Sequence, residues 1–175
     1  MPFILALLAL IGGAYFWAQR ARNAAEITRE LAGVASDVAA AARRFGFRRR
    51  LDTHPVESLE EAGVAVAGAG IAFLELGGLP STEQQDSLIR SLQSRLGMDH
   101  DKAKEAVILG RWLVTESQGA QPGLTRLVRK YAKMKGIAGF EVLMMVLRDI
   151  TEANRGIVSP RQGDALDEVK QIYRL

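Results

Sequence analysis

The residues that could do acid–base or metal chemistry are few in this 175-residue chain. Cysteine is absent, which excludes disulfides, thiolate metal sites and cysteine nucleophiles. The two histidines are His54, before a proline, and His100, which lies between Asp99 and Asp101. Consecutive residues at a helix start point in different directions, so we interpret Asp99 as a helix cap and Asp101 as a residue favoured by the helix dipole. We predict no metal ligands here.

Sequence patterns typical of enzymes are also missing. The chain has no nucleophile elbow, no phosphate-binding loop and no zinc-type helix motif. A short Gly-rich stretch, "GAGIAF", falls inside a predicted helix, where it cannot form a phosphate-binding turn. We therefore predict that the protein is not an enzyme, has no catalytic residue and binds no cofactor.

The positive charge of the chain is concentrated in one short segment. The net charge is +3, yet residues 20–50 hold eight Arg against three acidic residues. Residues 51–175 hold 15 basic and 17 acidic residues, so the larger part of the chain is slightly acidic. A general nucleic-acid-binding surface needs basic residues spread over the folded domain, so we predict no nucleic-acid partner.

The first 19 residues carry no charged side chain. At 1.5 Å per residue, residues 2–18 would extend about 25 Å as a helix, near the lower limit for crossing a bilayer. We predict a membrane anchor over residues 1–19, with membrane lipid as its partner through residues 2–18. Because the following basic residues are all arginines on the carboxyl side, we expect a single-pass protein of the bacterial inner membrane, its N-terminus outside and its domain in the cytoplasm. A cleaved signal peptide and a buried helix are the alternatives.

Residues 20–55 are predicted to form a basic juxtamembrane amphipathic helix and a linker. Heptad spacing indicates a possible homodimer, whereas a single helix lying along the domain or the lipid is the favoured alternative. The heptad positions are Ile27, Leu31, Val34 and Val38. Interleaved Arg and Phe residues would attract anionic lipid headgroups, with RNA stacking as the alternative. The candidate contact residues in this segment are Arg43, Arg44, Arg48, Arg49 and Arg50.

Residues 56–175 are predicted to form one all-α domain, because no alternating run is long enough for a strand. Ser58 with Glu61 is interpreted as a capping box that opens the first helix. That helix contains thirteen uncharged residues from Ala62 to Leu74, rich in Gly and Ala, which predicts a buried central helix. The strongly apolar helix near the end is expected to lie in the core. The predicted helices cover 57–76, 81–96, 99–117, 124–136, 137–153 and 159 to nearly the end, with a turn at 119–123.

Two turns of the domain share a sequence pattern. Gly78, Ser81 and Gln84 recur 78 positions later as Gly156, Ser159 and Gln162. In each case an apolar helix is followed by a Gly turn, a Ser cap and an amphipathic helix. We therefore predict a pseudo-duplicated bundle, built from helical hairpins over 62–96 and 139–174.

This arrangement resembles the tellurite-resistance TerB-like family and the amino-terminal region of the membrane-anchored DnaJ-like co-chaperone, over residues 56–175. In that family each turn reads Ala-Asp-Gly, then a Ser or Thr cap, then Glu, and the acidic residues have been taken as metal ligands. Here Gly77 and Arg155 stand at the Asp positions, and Gln84 and Gln162 at the Glu positions. Hard cations need several anionic oxygens, so we predict no divalent-metal site in these turns.

One predicted helix carries a basic face. Spacings of three, four and seven residues place its four cations on one side, where they could contact acidic lipid or an acidic protein segment. The alternative is an ordinary solvated helix surface. The candidate contact residues are Arg126, Arg129, Lys130 and Lys133.

The function favoured by the sequence is a membrane-tethered, cytoplasmic, non-enzymatic interaction or scaffold domain of TerB-like type. The resemblance implies a role linked to stress or to chaperones, with a protein partner. The alternative is a divalent-metal-binding sensor at the membrane.

Overall fold

The computed structural model describes residue 33, residues 35–47 and residues 52–174. The chain divides into two units, Met1–Asp37 and Val38–Leu175. In the first unit the described residues, 33 and 35–37, are helical. The regular structure of the second unit is also entirely helical over its described residues. The predicted all-α class is therefore confirmed.

The predicted localisation as a single-pass inner-membrane protein is wrong. Within the part of the chain that the structure describes, no helix combines the length and the apolar character needed to cross a membrane. The predicted anchor itself, residues 2–18, lies outside the described residues. So do Ile27, Leu31 and Val34 of the predicted heptad seam, whereas Val38 is half-buried against the core of the second unit.

Six long helices form the second unit, preceded by a short helical segment and a 3₁₀ turn. The central helix, α2, is packed against α3, α4, α5, α6 and α7, and α3 and α4 also contact each other. The elements are α1 (residues 38–44), the 3₁₀ turn Pro55–Ser58, α2 (Ala62–Leu76), α3 (Thr82–Leu96), α4 (His100–Glu116), α5 (Ala120–Lys135), α6 (Ala138–Glu152) and α7 (Pro160–Tyr173).

Helix α2 is the buried centre of the bundle, as predicted. Every residue from Gly63 to Leu74 is buried. Its small residues allow neighbouring helices to approach closely, most of all at Gly68, where α4 crosses with Gly110. A methyl group added at Gly110 would lie 2.7 Å from both the Cα and the backbone nitrogen of Gly68. The two helices therefore meet backbone to backbone at this crossing.

The predicted start of the first long helix is wrong. Instead of a capping box at Ser58, Pro55 begins a 3₁₀ turn whose first free amide, that of Val56, donates to Nδ1 of His54 at 3.3 Å. The other ring nitrogen of His54 lies 3.3 Å from the carbonyl oxygen of Glu116 on α4. Proline has a fixed φ suited to a helix start, so the turn forms before α2 begins at Ala62.

The predicted turn at 119–123 is also wrong, because α5 already begins at Ala120. Gln118 and Gly119, with φ of +68° and +119°, make the turn, and Pro122 lies in the first helical turn. Proline is tolerated there because the amides of a first turn have no intrahelical partner. The starts predicted at Ser81, Asp99 and Ser159 are confirmed as N-caps.

A partly exposed ionic contact links α6 to α3. Ser91 donates to Oδ2 of Asp149 at 2.7 Å, and Arg95 donates through Nε and Nη2 to the two carboxylate oxygens at 3.1 and 3.2 Å. The hydroxyl of Ser87 donates to the backbone carbonyl of Asp149 at 3.0 Å. Burial raises the pKa of Asp149, but the hydrogen bonds and charges of Arg95, with Ser91, outweigh it and hold the pKa below its usual value.

Asp149→Asn is expected to lower the free energy of unfolding by about 1 kcal/mol at pH 7, allowing for partial exposure of the ion pair. Since the folded-state pKa of Asp149 is depressed, its contribution is present above the unfolded pKa and is lost as the pH falls through the folded value. The difference between variant and parent should therefore shrink below pH 4. Urea unfolding at pH 7 and pH 3 measures this.

The matched control is Asp167→Asn, which removes an exposed carboxylate paired with Lys170 at 2.8 Å on the same helix. Exposed pairs of this kind contribute little, so this variant should unfold like the parent. Equal losses in the two variants would contradict the assignment of Asp149 as a fastening residue.

Candidate functional site

Of the predicted basic residues of the first segment, the structure describes Arg43 and Arg44, and Arg44 contacts α4. Nε of Arg44 lies 2.9 Å from a carboxylate oxygen of Glu105, and Arg43 is exposed. Phe45 is buried beneath the ammonium group of Lys102, which lies 5.7 Å from the ring centroid. Arg48, Arg49 and Arg50 lie outside the described residues.

Phe47, the second aromatic residue of this segment, packs edge-on against Trp112, with ring centroids 5.8 Å apart. Both phenylalanines are thus engaged with α4. We predicted that the segment containing these rings would contact lipid, or alternatively RNA. In the structure, the two rings instead pack against α4 and hold the end of α1 to the bundle.

The predicted basic face on α5 is not uniform. Arg126, Arg129 and Lys133 are exposed, but Lys130 donates to the backbone carbonyl of Glu57 at 2.6 Å. Lys130 therefore holds the 3₁₀ turn against α5, a role that the sequence pattern did not indicate.

Arg129 lies in a polar groove of about 790 Å³ between α5 and α7. Facing it from α7 are three carboxylate residues, Asp164, Asp167 and Glu168. Glu168 accepts from Gln121 at 2.6 Å and from Thr125 at 2.5 Å, both on α5. This side of the bundle therefore combines both charge signs.

The Ser caps of the two similar turns have the same local geometry. Ser81 and Ser159 are N-caps with φ and ψ of −71° and 160° in one turn and −71° and 159° in the other. In the first, the Ser amide donates to the Gln84 side chain at 2.9 Å, and the Gln84 amide donates to the Ser hydroxyl at 3.2 Å. In the second, the same bonds to Gln162 are 3.0 and 3.2 Å. Both turns are complete capping boxes.

Gln162 has a second role that Gln84 lacks. It is buried, and its Nε2 donates to the carbonyl of Phe73 in the last turn of α2 at 3.0 Å. A methyl group at Gly77 would lie 2.7 Å from this same nitrogen, so glycine leaves the room that Gln162 occupies. The side-chain amide of Gln162 thus donates a hydrogen bond to α2 and accepts one at the N-cap of α7. An ionised carboxylate could accept the second bond but could not donate the first.

No metal centre is formed by these turns or elsewhere in the residues that the structure describes. Groups of three or more His, Asp or Glu side chains placed to hold an ion are absent from that part of the chain. Asp99, a candidate considered above, caps α4 by accepting from the amide of Lys102 at 2.7 Å.

The candidate site is an apolar groove of about 440 Å³ between α6 and α7, which we call the methionine groove. Two adjacent methionines of α6 line it together with Leu166 of α7 and Val158 of the connecting loop. The polar residues at its rim are few. The lining residues are Phe140, Glu141, Met144, Met145, Leu147, Arg148, Thr151, Val158 and Leu166.

The loop at one end of the methionine groove presents apolar side chains to solvent. Ile157 is 64% exposed and Val158 is 40% exposed. Leu79, in the other capped turn, is fully exposed, and the two turns meet through the contacts of Gln162 with Gly77 and Phe73. Apolar side chains exposed beside an apolar groove are typical of an interaction site.

Helix α6 leaves this surface open because its apolar face is wider than the core can cover. Leu143, Val146 and Ile150 are buried, whereas Met144 and Met145 are only half-buried. We predicted that the whole of this helix lies in the core, and this prediction did not indicate a groove. The signal was available in "VLMMVL", six consecutive apolar residues that exceed the single stripe a surface helix buries.

A tyrosine of α7 packs against Phe140 of the methionine groove. Phe140 packs edge-on against Tyr173, with ring centroids 5.3 Å apart. Burial, and then the charge of Tyr131, raise the pKa of Tyr173 to about 12. The hydroxyl therefore stays protonated at neutral pH, and it has no hydrogen-bond partner among the described residues.

Besides Asp149, Glu75 has a carboxyl group with a shifted pKa. Burial raises the pKa of Glu75 on α2, and the guanidinium of Arg111 partly offsets this effect. Arg111 in turn donates to the side chain of Gln85 at 2.7 Å. This hydrogen bond joins α4 to α3, and neither Arg111 nor Gln85 lines the methionine groove.

Comparisons of the chain with protein-family models, with curated proteins and with solved structures find no match.

Proposed function

We propose that this protein is a non-enzymatic interaction domain that binds a protein segment in the methionine groove between α6 and α7. The observation that carries the proposal is the open apolar groove of about 440 Å³, lined by adjacent methionines on an otherwise well-packed bundle. Methionine side chains are flexible and polarizable, and they are typical of surfaces that accept apolar side chains of varied shape.

The shape of the groove supports a helical ligand. Helices α6 and α7 form its walls, and an amphipathic helix can place residues i, i+3, i+4 and i+7 between them. Ile157 and Val158 extend the apolar surface beyond the helices, which gives the ligand a longer contact than the groove alone.

The same proposal includes the TerB-like, pseudo-duplicated architecture. It is supported by the two capping boxes, which agree in backbone angles and in both hydrogen bonds. It is supported further by the positive φ of Gly78 and Gly156, each three residues before its Ser cap. The metal ligands of that family are replaced here by Gly77, Arg155 and the two glutamines, so the retained feature is the turn and not the ion.

A displayed library of amphipathic helical peptides, selected for binding to the full chain, tests the proposed function. Selected peptides should lose about tenfold or more in affinity for Met145→Glu, because the new carboxylate would be desolvated beneath the ligand. Affinities are measured by fluorescence anisotropy, and thermal unfolding establishes that the variant is folded.

Met134→Glu is the matched control. Met134 is also half-buried, but it lines a separate cavity near the start of α2. Peptides should bind this variant as they bind the parent. The groove would be contradicted as the binding site if both variants lost affinity equally, or if the selected peptides bound Met145→Glu as tightly as the parent.

A further inference from the structure

The two ends of the methionine groove differ in charge. Glu141 lines the end near the start of α6, and Thr151 and Val158 line the other. With a rise of 1.5 Å per residue, Glu141 and Thr151 are about 15 Å apart along the helix. An elongated ligand in the groove therefore meets an acidic side chain at one end and the α6–α7 loop at the other.

The α6–α7 loop end carries an excess of positive charge. Arg148 is paired with Glu152 at 3.4 Å, so these two charges offset each other. Arg155 and Arg161, which flank Ile157 and Val158 in the chain, are both exposed. Within the described residues neither arginine side chain has an ion pair or a hydrogen bond. Two unpaired cations thus lie beside exposed apolar residues.

Arg155 also adopts a backbone conformation that disfavours it. Its φ is +56°, in the left-handed region where glycine or asparagine is favoured and other residues are strained. No hydrogen bond or ion pair of its side chain with a described residue compensates for this strain. Strain of this kind persists most often at sites that bind a ligand.

From these observations we infer that the ligand of the methionine groove is an amphipathic helix with an acidic end, which lies over Arg155 and Arg161. Its apolar face fills the groove between Met144, Met145 and Leu166, and its carboxylates neutralise the two arginines. The inference rests on the proposed function, because it names the class of partner for the same site. Charge complementarity of this type selects the partner and orients it more than it adds affinity.

Two synthetic peptides test the inference. They share one apolar face, with Leu and Met at helical spacing, and differ only at one end, which has two Glu in the first peptide and two Lys in the second. The Glu peptide should bind the full chain about fivefold more tightly, since exposed ion pairs contribute modestly. This preference should decrease as the salt concentration rises.

The double variant Arg155→Gly, Arg161→Gln should bind both peptides alike. Glycine suits the left-handed conformation at position 155, so the melting temperature should not fall and a loss of preference cannot be ascribed to unfolding. Arg155→Lys with Arg161→Lys should keep the preference.

The outcomes separate the two proposals. If both peptides bind the parent equally, or if the preference survives in the double variant, the acidic-end inference is overturned while the groove remains a binding site. If neither peptide binds, or if Met145→Glu binds them as the parent does, the proposed function fails as well.

Discussion

Gly110→Ala should destabilise the protein by about 3 kcal/mol, the largest loss expected from a single added methyl group at the glycines that the structure describes. The new Cβ would lie 2.7 Å from the Cα and nitrogen of Gly68 and 3.1 Å from the carbonyl carbon of Ala67. All three are backbone atoms of the buried helix α2, so no side chain can rotate away and α4 must move outward. The gain in helix propensity from Gly to Ala, about 1 kcal/mol, is smaller than this cost.

Gly163→Ala is the matched control for this prediction. Gly163 lies within α7, has no positive φ, and a methyl group there would meet nothing within 4 Å. Only the propensity gain should remain, so this variant should be more stable by about 0.5–1 kcal/mol. Thermal unfolding should show a decrease of roughly 10 °C for Gly110→Ala and a small increase for Gly163→Ala. Equal stability of the two variants would contradict the close crossing of α2 and α4.

Gln162→Glu should lower the free energy of unfolding by about 2–3 kcal/mol at pH 7, although glutamate is the residue that a capping box usually has at this position. The carboxylate can still accept from the amide of Ser159, but it cannot donate to Phe73, and it would face that carbonyl in a buried place. Gln84→Glu makes the same chemical change in the other turn, where the side chain is only half-buried and accepts from Ser81 alone. This control should be neutral or slightly stabilising, because an acid is favoured in a first helical turn.

The pH dependence of the Gln162→Glu variant shows whether its loss of stability comes from the new negative charge or from a change in packing. Burial would raise the pKa of the new carboxyl at position 162, so its charged form is the destabilising one. The defect should be full above that pKa and should lessen as the pH falls through it, since the protonated group can again donate to Phe73. Urea unfolding of both variants from pH 7 to pH 4 measures this. A defect of equal size in Gln84→Glu, or one that does not change with pH, would exclude the double role of Gln162.

The sequence was sufficient for features that depend on local chemistry. Thirteen uncharged residues rich in glycine and alanine predicted a buried central helix, and α2 is one. Serine, aspartate and glycine at helix ends predicted three N-caps correctly, because a cap is made by neighbours in the chain. Local rules failed at Ser58, where proline and the imidazole of His54 form a 3₁₀ turn before the helix begins.

Features that depend on distant residues could not be predicted in this way. The amide of Gln162 donates to Phe73, 89 positions earlier in the chain. Lys130 belongs to a basic pattern in the sequence, yet it bonds to Glu57. The methionine groove exists because α7 covers only part of the apolar face of α6, which is a property of helix placement and not of either helix alone.

The methionine residues allow a direct test of the proposed binding site. The chain has five, of which Met144 and Met145 line the groove, whereas Met98 and Met134 line the cavity near the start of α2. Isotope labelling of the methionine methyl groups gives each one a separate signal in a proton–carbon correlation spectrum. The full chain is titrated with the Glu-ended amphipathic peptide. Saturable shifts of Met144 and Met145, with Met98 and Met134 unchanged, are the predicted result; shifts confined to Met98 and Met134, or none at peptide concentrations that saturate binding, would contradict the groove as the site of interaction.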